Sequence, residues 1–595
     1  MYLKNNSIGT LFILVAFLSS CANKTSPTGG PKDEDPPVLE LSVPENKALN
    51  YTDQKITLEF DEYIKLNNPK EEIIITPRLL GEYEIKTKKN KVIIQIEDTL
   101  LSNTTYTLSF REGIQDLNEG NSPENLQLAF STGDYLDSLS ISGNVYHLLT
   151  NAPGKNITIS LYDTEDTLDV FNSPPIYFTK STAKGDFIFN NLKNGEYNIY
   201  AINDKNKNLI LESKNETYAY LDKSVRIDSN LFDIKLPLIS LDVTPLELQS
   251  SRTRGHYFVL KYNKYVSSFE LNRLDPQTEI PPTSFSEDHR EIIFYNTNSF
   301  VDSLGLIIQT YDTINNSVVD TAYVKFAETK RDRTEYDIAY SKITTTKESP
   351  LIKLEVNFSK PTTILHSDSI FFEVDSVQQI PLDTSNFTWN IQHTQLTILK
   401  QLDKKLFEAP PVADVPSDTS KNIALSKPLK TPDKRKTLGQ KPDNSLKQDS
   451  TKAKASPPKN NDPRMYFGTA AFLSVEQDSS IFNTEKLTFI NPSSMGIIHV
   501  QVDTGHPSYY IQLIDNKGSV VAERYNEKKF TLDNTKPGDY EIRVLIDRNQ
   551  DNKWNIGDVT KSILPEPVHF YTSEEGTTKL TLRANWELGP IKLKF

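Results

Sequence analysis

Between Asp547 and Asp558 the chain reads Asp-Arg-Asn-Gln-Asp-Asn-Lys-Trp-Asn-Ile-Gly-Asp. Side-chain oxygens fall at positions one (Asp547), three (Asn549), five (Asp551), nine (Asn555) and twelve (Asp558), the spacing by which a loop wraps a hard cation such as Ca2+. The match is partial, because Asn552 stands where such loops carry glycine and Asp558 where they carry glutamate. A strand-like run, 542–546, precedes it, so a helix-loop-helix hand is not expected. The same residue types also favour a turn capped by Asx side chains. Asp204, Asn206 and Asn208 repeat the offset earlier in the chain, but Lys205 and Lys207 dilute the charge there, which favours the turn.

Other chemistry finds little support. The eight histidines are scattered, with no His-Glu-x-x-His and no pair at helical spacing, so a zinc hydrolase is not indicated. There is no Gly-x-Ser-x-Gly elbow and no phosphate-cradling Gly-Lys-Ser/Thr loop. Pairs such as Asp61/Glu62 and Glu71/Glu72 read as solvated strand-and-turn charge. No role-complete catalytic site emerges, and no enzyme activity is expected.

Cys21 is the only cysteine. It follows Lys4, an apolar run over 8–18, and Leu18-Ser19-Ser20. A charged start, an apolar stretch too short to span a bilayer and small residues at the end are what a secretory signal requires. Leu18-Ser19-Ser20-Cys21 resembles the lipobox of bacterial lipoproteins. That resemblance implies a signal peptide over 1–20, diacylation of the Cys21 sulfur, cleavage before it, and acylation of its new amino group. Several acyl chains on one residue make a durable anchor, since each buried CH2 contributes about 0.8 kcal/mol. The expected location is the cell envelope, lipid-anchored at the outer membrane, with its periplasmic or surface face left open. With its one cysteine assigned to lipid, the chain forms no internal disulfide.

At 595 residues the chain is long enough for several domains. Aromatics make up 10% of it, a richness that suits β-sandwiches. The net charge of -13 argues against nucleic acid as a partner, because phosphate neutralisation needs a basic surface.

These features predict an all-β chain of tandem sandwiches. Residues 21–37, the lipidated cysteine and a polar, Pro- and Gly-rich stretch, read as a flexible tether. From 38 to 134, short alternating strands such as Ile56-Thr57-Leu58-Glu59-Phe60 and Val92-Ile93-Ile94-Gln95-Ile96 are separated by turn residues. The entry Asp35-Pro36-Pro37, the turn Asp116-Leu117-Asn118-Glu119-Gly120-Asn121 and the closing Phe130-Ser131-Thr132-Gly133 resemble the bacterial Ig-like domain of the S-layer SbsA type. The resemblance implies a structural spacer or adhesion module without catalytic residues.

Residues 135–240 carry Leu192-Lys193-Asn194-Gly195-Glu196-Tyr197, and 496–595 repeat the phrase as Thr535-Lys536-Pro537-Gly538-Asp539-Tyr540. Both segments resemble transthyretin-like or Cna-B-like sandwiches, as two copies of one module. Residues 241–332 read as a further Ig-like sandwich. In 333–495, Ile352-Lys353-Leu354-Glu355-Val356-Asn357-Phe358 echoes 56–60 and opens another Ig-like domain, interrupted over 408–462 by a Lys-, Pro- and Ser-rich run expected to be disordered.

The functional expectation is a non-enzymatic envelope lipoprotein of structural or adhesive type, its sandwiches joined end to end. The alternative is a ligand-binding or assembly partner of an outer-membrane machine, taking an envelope protein or a glycan. An envelope enzyme is the third class.

Overall fold

The computed structural model describes residues 33–408 and 462–595, except 80, 98, 278, 298–302 and 376–377. Leu18, Ser19, Ser20, Cys21, most of the tether and nearly all of the 408–462 run lie outside the described residues. The chain forms two compact units, one of Met1–Thr244 with Arg543–Phe570 and one of Pro245–Ile542 with Tyr571–Phe595. The described secondary structure is almost entirely strand, as the alternating pattern predicts.

In the first unit, strands Leu39–Val43, Lys55–Phe60, Lys91–Ile96 and Tyr83–Lys88 hydrogen-bond in that spatial order. Strands Ile74–Thr76, Thr105–Ser109 and Gln127–Ser131 form a second sheet. Ile56, Leu58 and Phe60 bury alternate side chains with Val92, Ile94 and Ile96, and Leu108, Leu128 and Phe130 join the same core. Each such burial is worth about 1.5–3 kcal/mol. The Asp116 to Asn121 turn has a local cause. Asp116 is buried, and its carboxylate accepts the backbone N–H groups of Glu119 (2.6 Å), Gly120 (3.0 Å) and Asn121 (2.7 Å). Burial works to raise the Asp116 carboxyl, but these bonds win and hold it below the usual carboxylate range. Gly120, at φ +85°, supplies the left-handed residue the turn needs.

The second sandwich sets strand Leu139–His147 between Asp186–Leu192, antiparallel, and Leu231–Leu238, parallel. Its other sheet runs Tyr177–Lys180, Thr158–Asp163, Gly195–Ile202 and Tyr218–Tyr220, with Val225–Ile227 also on Gly195–Ile202. The C-terminal strands repeat this plan. Gly496–Asp503 lies between Lys529–Thr535, antiparallel, and Glu587–Lys594, parallel. The companion sheet runs Val520–Tyr525, Tyr509–Asp515, Gly538–Ile546 and Val568–Phe570, with Leu580–Leu582 also on Gly538–Ile546.

The repeated Lys-x-Gly-x-Tyr phrase has one job in both copies. The Tyr197 hydroxyl donates to the Lys193 carbonyl at 3.1 Å, and the Tyr540 hydroxyl donates to the Lys536 carbonyl at 2.6 Å. Each tyrosine thus ties the start of a strand to the turn before it. Tyr540→Phe is expected to lower stability by about 1–2 kcal/mol, the cost of a lost bond that strands a carbonyl. Urea unfolding of the full chain measures it, with Tyr197→Phe as the matched control.

In the second unit, two sandwiches reuse the strand order of the first domain. Leu248–Arg254, Tyr257–Tyr262, Glu291–Tyr295 and Thr283–Phe285 form one sheet, and Ser268–Arg273, Leu304–Tyr311 and Ser317–Val324 the other. Next, Ile338–Tyr340, Leu351–Phe358, Gln395–Gln401 and Phe387–Trp389 pair in that order. The opposing sheet contains Ile370–Glu373, Arg464–Phe467 and Asn483–Phe489. Ile352, Leu354, Val356 and Phe358 pack in one core with Leu402, Met465 and Phe467, so the residues on either side of the 408–462 run belong to one domain.

Candidate functional site

Asp547, Asn549 and Asp551 accept hydrogen bonds from within the loop, Asn555 donates its side-chain amide there, and Asp558 is bonded to residues just after it. Asp547 is fully buried and accepts the backbone N–H groups of Gln550 (2.7 Å) and Asn552 (3.0 Å). Asn549 accepts the Asp551 N–H at 3.0 Å and donates its side-chain amide to the Asp551 carboxylate at 3.2 Å. Asp551 accepts the Lys553 N–H at 2.9 Å and the Asn555 side-chain amide at 3.0 Å. The Asn555 amide bond leads the effects that hold the Asp551 carboxyl below its usual range. Asp558 accepts the Thr560 N–H at 3.0 Å and hydroxyl at 2.6 Å, and pairs with the Lys561 ammonium at 2.8 Å. Burial would raise the Asp558 carboxyl, but Lys561 and Thr560 lower it.

Of the two readings the spacing allows, these bonds describe the Asx-capped turn. Among the described residues no group of three or more His, Cys, Asp or Glu could hold a metal ion.

Sequence reasoning missed the group that holds the loop together. Glu566, nearly buried, lies beyond the motif and accepts the N–H groups of Arg548 (2.7 Å), Asn549 (3.1 Å) and Asn555 (2.8 Å). The Trp554 indole N–H donates to the Glu566 carbonyl at 3.1 Å. Gly557, at φ +84°, passes so close to the 563–565 backbone that a Cβ would lie 2.5 Å from the Ile563 oxygen.

The sister loop is built the same way. Asp204 accepts the N–H groups of Asn208 (3.2 Å) and Leu209 (2.9 Å). Buried Glu216 accepts those of Lys205 (3.0 Å) and Glu212 (2.9 Å). Left-handed residues fall three and five places after each leading aspartate, at Lys207 (φ 64°) and Leu209 (φ 60°), and at Gln550 (φ 59°) and Asn552 (φ 63°). Burial, opposed by its backbone bonds and reinforced by Asp204 and Glu212, raises the Glu216 carboxyl. The signal available in sequence was an acid about a dozen or more residues after each Asp-x-Asn, flanked in the second copy by Pro565 and Pro567.

The histidines occupy separate places. His289 stacks between Tyr265 and Phe285, His393 lies on Trp389, and His506 lies on Phe595.

Two features of surface shape stand out. Within the first unit, Arg111, held at φ 41°, joins the first two sandwiches. Its guanidinium donates to Glu72 (3.0 Å), to the Lys180 carbonyl (3.0 Å) and to the Asn156 side chain (3.2 Å). The Arg78 N–H donates to the Ile176 carbonyl at 2.7 Å, Asn190 to Gln127 at 3.0 Å, and Asn191 to the Asp137 carbonyl at 2.9 Å. In the same unit, the segment Arg543–Phe570 lies against the second sandwich. Arg543 donates to the Leu149 carbonyl at 2.6 Å, and the Tyr220 hydroxyl donates to the Ile563 carbonyl. Both bonds join side-chain donors to backbone carbonyls remote in sequence. Within the second unit, a cleft of about 550 Å3 takes Phe269, Pro281 and Pro282 from one sandwich and Pro361, Ile391 and Val475 from the next.

No curated protein matches the chain. Among solved structures, it is similar to the TIE protein of Bacillus anthracis, at 9% identity and a TM-score of 0.12, covering 100% of this chain and 79% of that one. A form of BcpA, the major pilin subunit of Bacillus cereus, matches at 11% identity and a TM-score of 0.13, covering 77% of this chain and 99% of that one. The S-layer protein SbsC matches at 10% identity and a TM-score of 0.13, covering 91% of this chain and 68% of that one. At this level of similarity they carry no argument about function. A model of the bacterial Ig-like domain matches residues 33–132, the first of the sandwiches described above.

Proposed function

We propose that this chain is a non-enzymatic lipoprotein of the cell envelope, anchored through Cys21, whose sandwiches serve a structural or adhesive role. The observation that carries the reading is the Arg111 joint. A spacer must hold successive domains at a set angle, and a guanidinium bonded at once to Glu72, Lys180 and Asn156 does that between two sandwiches. The leader ending in Leu18-Ser19-Ser20 supports the anchor, and the bacterial Ig-like match supports the structural role. The SbsA type of the first domain and the outer membrane as the site of anchorage belong to the same proposal. Ca2+ enters it only at the Asp547 to Asp558 loop.

A second reading, capture of an envelope protein, is favoured by the cleft in the second unit. Its lining mixes prolines and apolar side chains with polar ones such as Thr283, Gln392 and His393, and Ile391 at its edge is 93% exposed. The prolines and the exposed Ile391 offer an apolar protein segment its contact. Affinity isolation of the full-length lipidated protein from its own envelope separates the two. A single stoichiometric protein partner favours capture. Retention on purified envelope polymer without such a partner favours the adhesive role, and turnover of that polymer contradicts both.

A further inference from the structure

The second unit buries a charged cluster where its two Ig-like sandwiches meet. The Glu476 side chain is 2% exposed and that of Lys360 1%. Removing such ions from water costs several kcal/mol each unless every charge is met. Here every charge is met. One Glu476 carboxylate oxygen receives the Lys360 ammonium at 2.8 Å and the Tyr257 hydroxyl at 3.0 Å. The other lies 3.4 Å from the Arg333 guanidinium, which also donates to the Glu476 carbonyl at 3.2 Å. Lys360 has a second partner, Asp478, at 2.7 Å, so two cations face two carboxylates.

These residues come from three separate parts of the chain. Glu476, Asp478 and Lys360 belong to the fourth sandwich, Tyr257 to the third, and Arg333 to the connector between them. The Tyr257 hydroxyl also accepts the Thr334 N–H at 3.1 Å and lies 2.8 Å from the Thr334 hydroxyl. The remaining contact here is apolar, with Val475 packed against Tyr257, Val259, Ile293 and Tyr295. Apolar contact of this size resists separation but sets no angle, whereas the bonds of one buried carboxylate are directional.

We propose that Glu476 is the pin of the joint between the third and fourth sandwiches, holding them at one angle and so setting the width of the cleft that both line. Its release lets the two sandwiches hinge while each stays folded. The folding half of this follows from the charge count. With Glu476 neutralised, Lys360 keeps Asp478, which also accepts the Ser474 hydroxyl at 2.9 Å, so the 474–478 turn keeps its own support. The inference stands on this geometry and does not depend on the anchor or the adhesive role.

The test is the distance between spin labels at Asn272→Cys and Lys353→Cys, exposed sites on the two sandwiches, in full-length protein carrying Cys21→Ser. With Glu476 intact, one narrow distance distribution is expected. Glu476→Gln is expected to widen it by about twofold or more, as freed hinges do, and Tyr257→Phe to widen it less. Hydrogen exchange in strand Leu351–Phe358 is expected to stay as slow as in the parent. A distribution that stays narrow in Glu476→Gln overturns the proposal. So does a wide one accompanied by fast exchange in that strand, because the fold and not the joint would then have failed.

Discussion

Replacing Lys360 by methionine is expected to destabilise the fourth sandwich by about 3–5 kcal/mol, the penalty for stranding a buried partner of a broken ion pair. Lys360→Met leaves Glu476 and Asp478 facing each other with only Arg333 against them, and the Arg333 side chain is half exposed. The effect far exceeds that of losing an exposed pair such as Lys486–Asp462, whose attraction is screened by solvent. Urea unfolding followed by hydrogen exchange in 351–358 and 464–467 locates the loss. A Lys360→Met protein as stable as the parent would show that the cluster contributes nothing to folding.

The same pair gives the unit a defined pH range. Burial alone would lower the Lys360 ammonium, but its bonds to Asp478 and Glu476 raise it above the ordinary lysine value. Burial alone would raise the Asp478 carboxyl, but Lys360 and Ser474 hold it below the ordinary aspartate value. A raised lysine contributes stability that is complete below its unfolded value and lost as pH rises through its folded one. A depressed aspartate contributes stability that is complete above its unfolded value and lost as pH falls through its folded one. The pair is therefore at full strength between about pH 4 and pH 10, the unfolded values of the two groups, and weakens outside that window. Thermal unfolding across the range should show these losses in the parent and their absence in Lys360→Met.

Glu566→Ala is expected to cost about 2–4 kcal/mol, because it leaves the Arg548, Asn549 and Asn555 N–H groups without their acceptor. The Trp554 indole and the Asn555 carbonyl bond to the backbone of residue 566, so those two contacts do not depend on its carboxylate. The experiment also separates the two readings of the loop. If the bonds among Asp547, Asn549, Asp551, Asn555 and Asp558 suffice, parent and variant keep the same difference in Tm with excess chelator and with millimolar Ca2+. If the loop takes Ca2+, chelation lowers the parent Tm, and Ca2+ raises it by mass action.

What the sequence reveals and what it conceals separate along physical lines. Ile56, Leu58 and Phe60 alternate with outward residues, and period two is enough to predict a strand with one buried face. The echo at Ile352 to Phe358 was readable for the same reason, and so was the doubled Gly-x-Tyr phrase. Local turns such as Asp116 to Asn121 also announce themselves, because the acceptor and its donors lie within five residues. Glu476 does not. Lys360 lies 116 positions before it and Tyr257, in another sandwich, 219, and no local pattern marks a glutamate whose partners are so remote in sequence.

The Ca2+ reading illustrates a different limit. Alternating Asp and Asn oxygens suit a cation, but they equally suit backbone N–H groups turned toward them, and spacing alone does not choose. Glu566, eight residues past the motif, offers both its oxygens to the loop's N–H groups from outside, and nothing in the motif's spacing announces it.

A structural role in the envelope requires an anchored near end, which Cys21 is proposed to supply. The decisive measurement is cell fractionation of the native protein beside Cys21→Ala, followed by protease treatment of intact cells. The account predicts native protein in the membrane fraction and the Cys21→Ala form released from it, with protease access then reporting which face the sandwiches occupy. Equal membrane retention of both forms would contradict it.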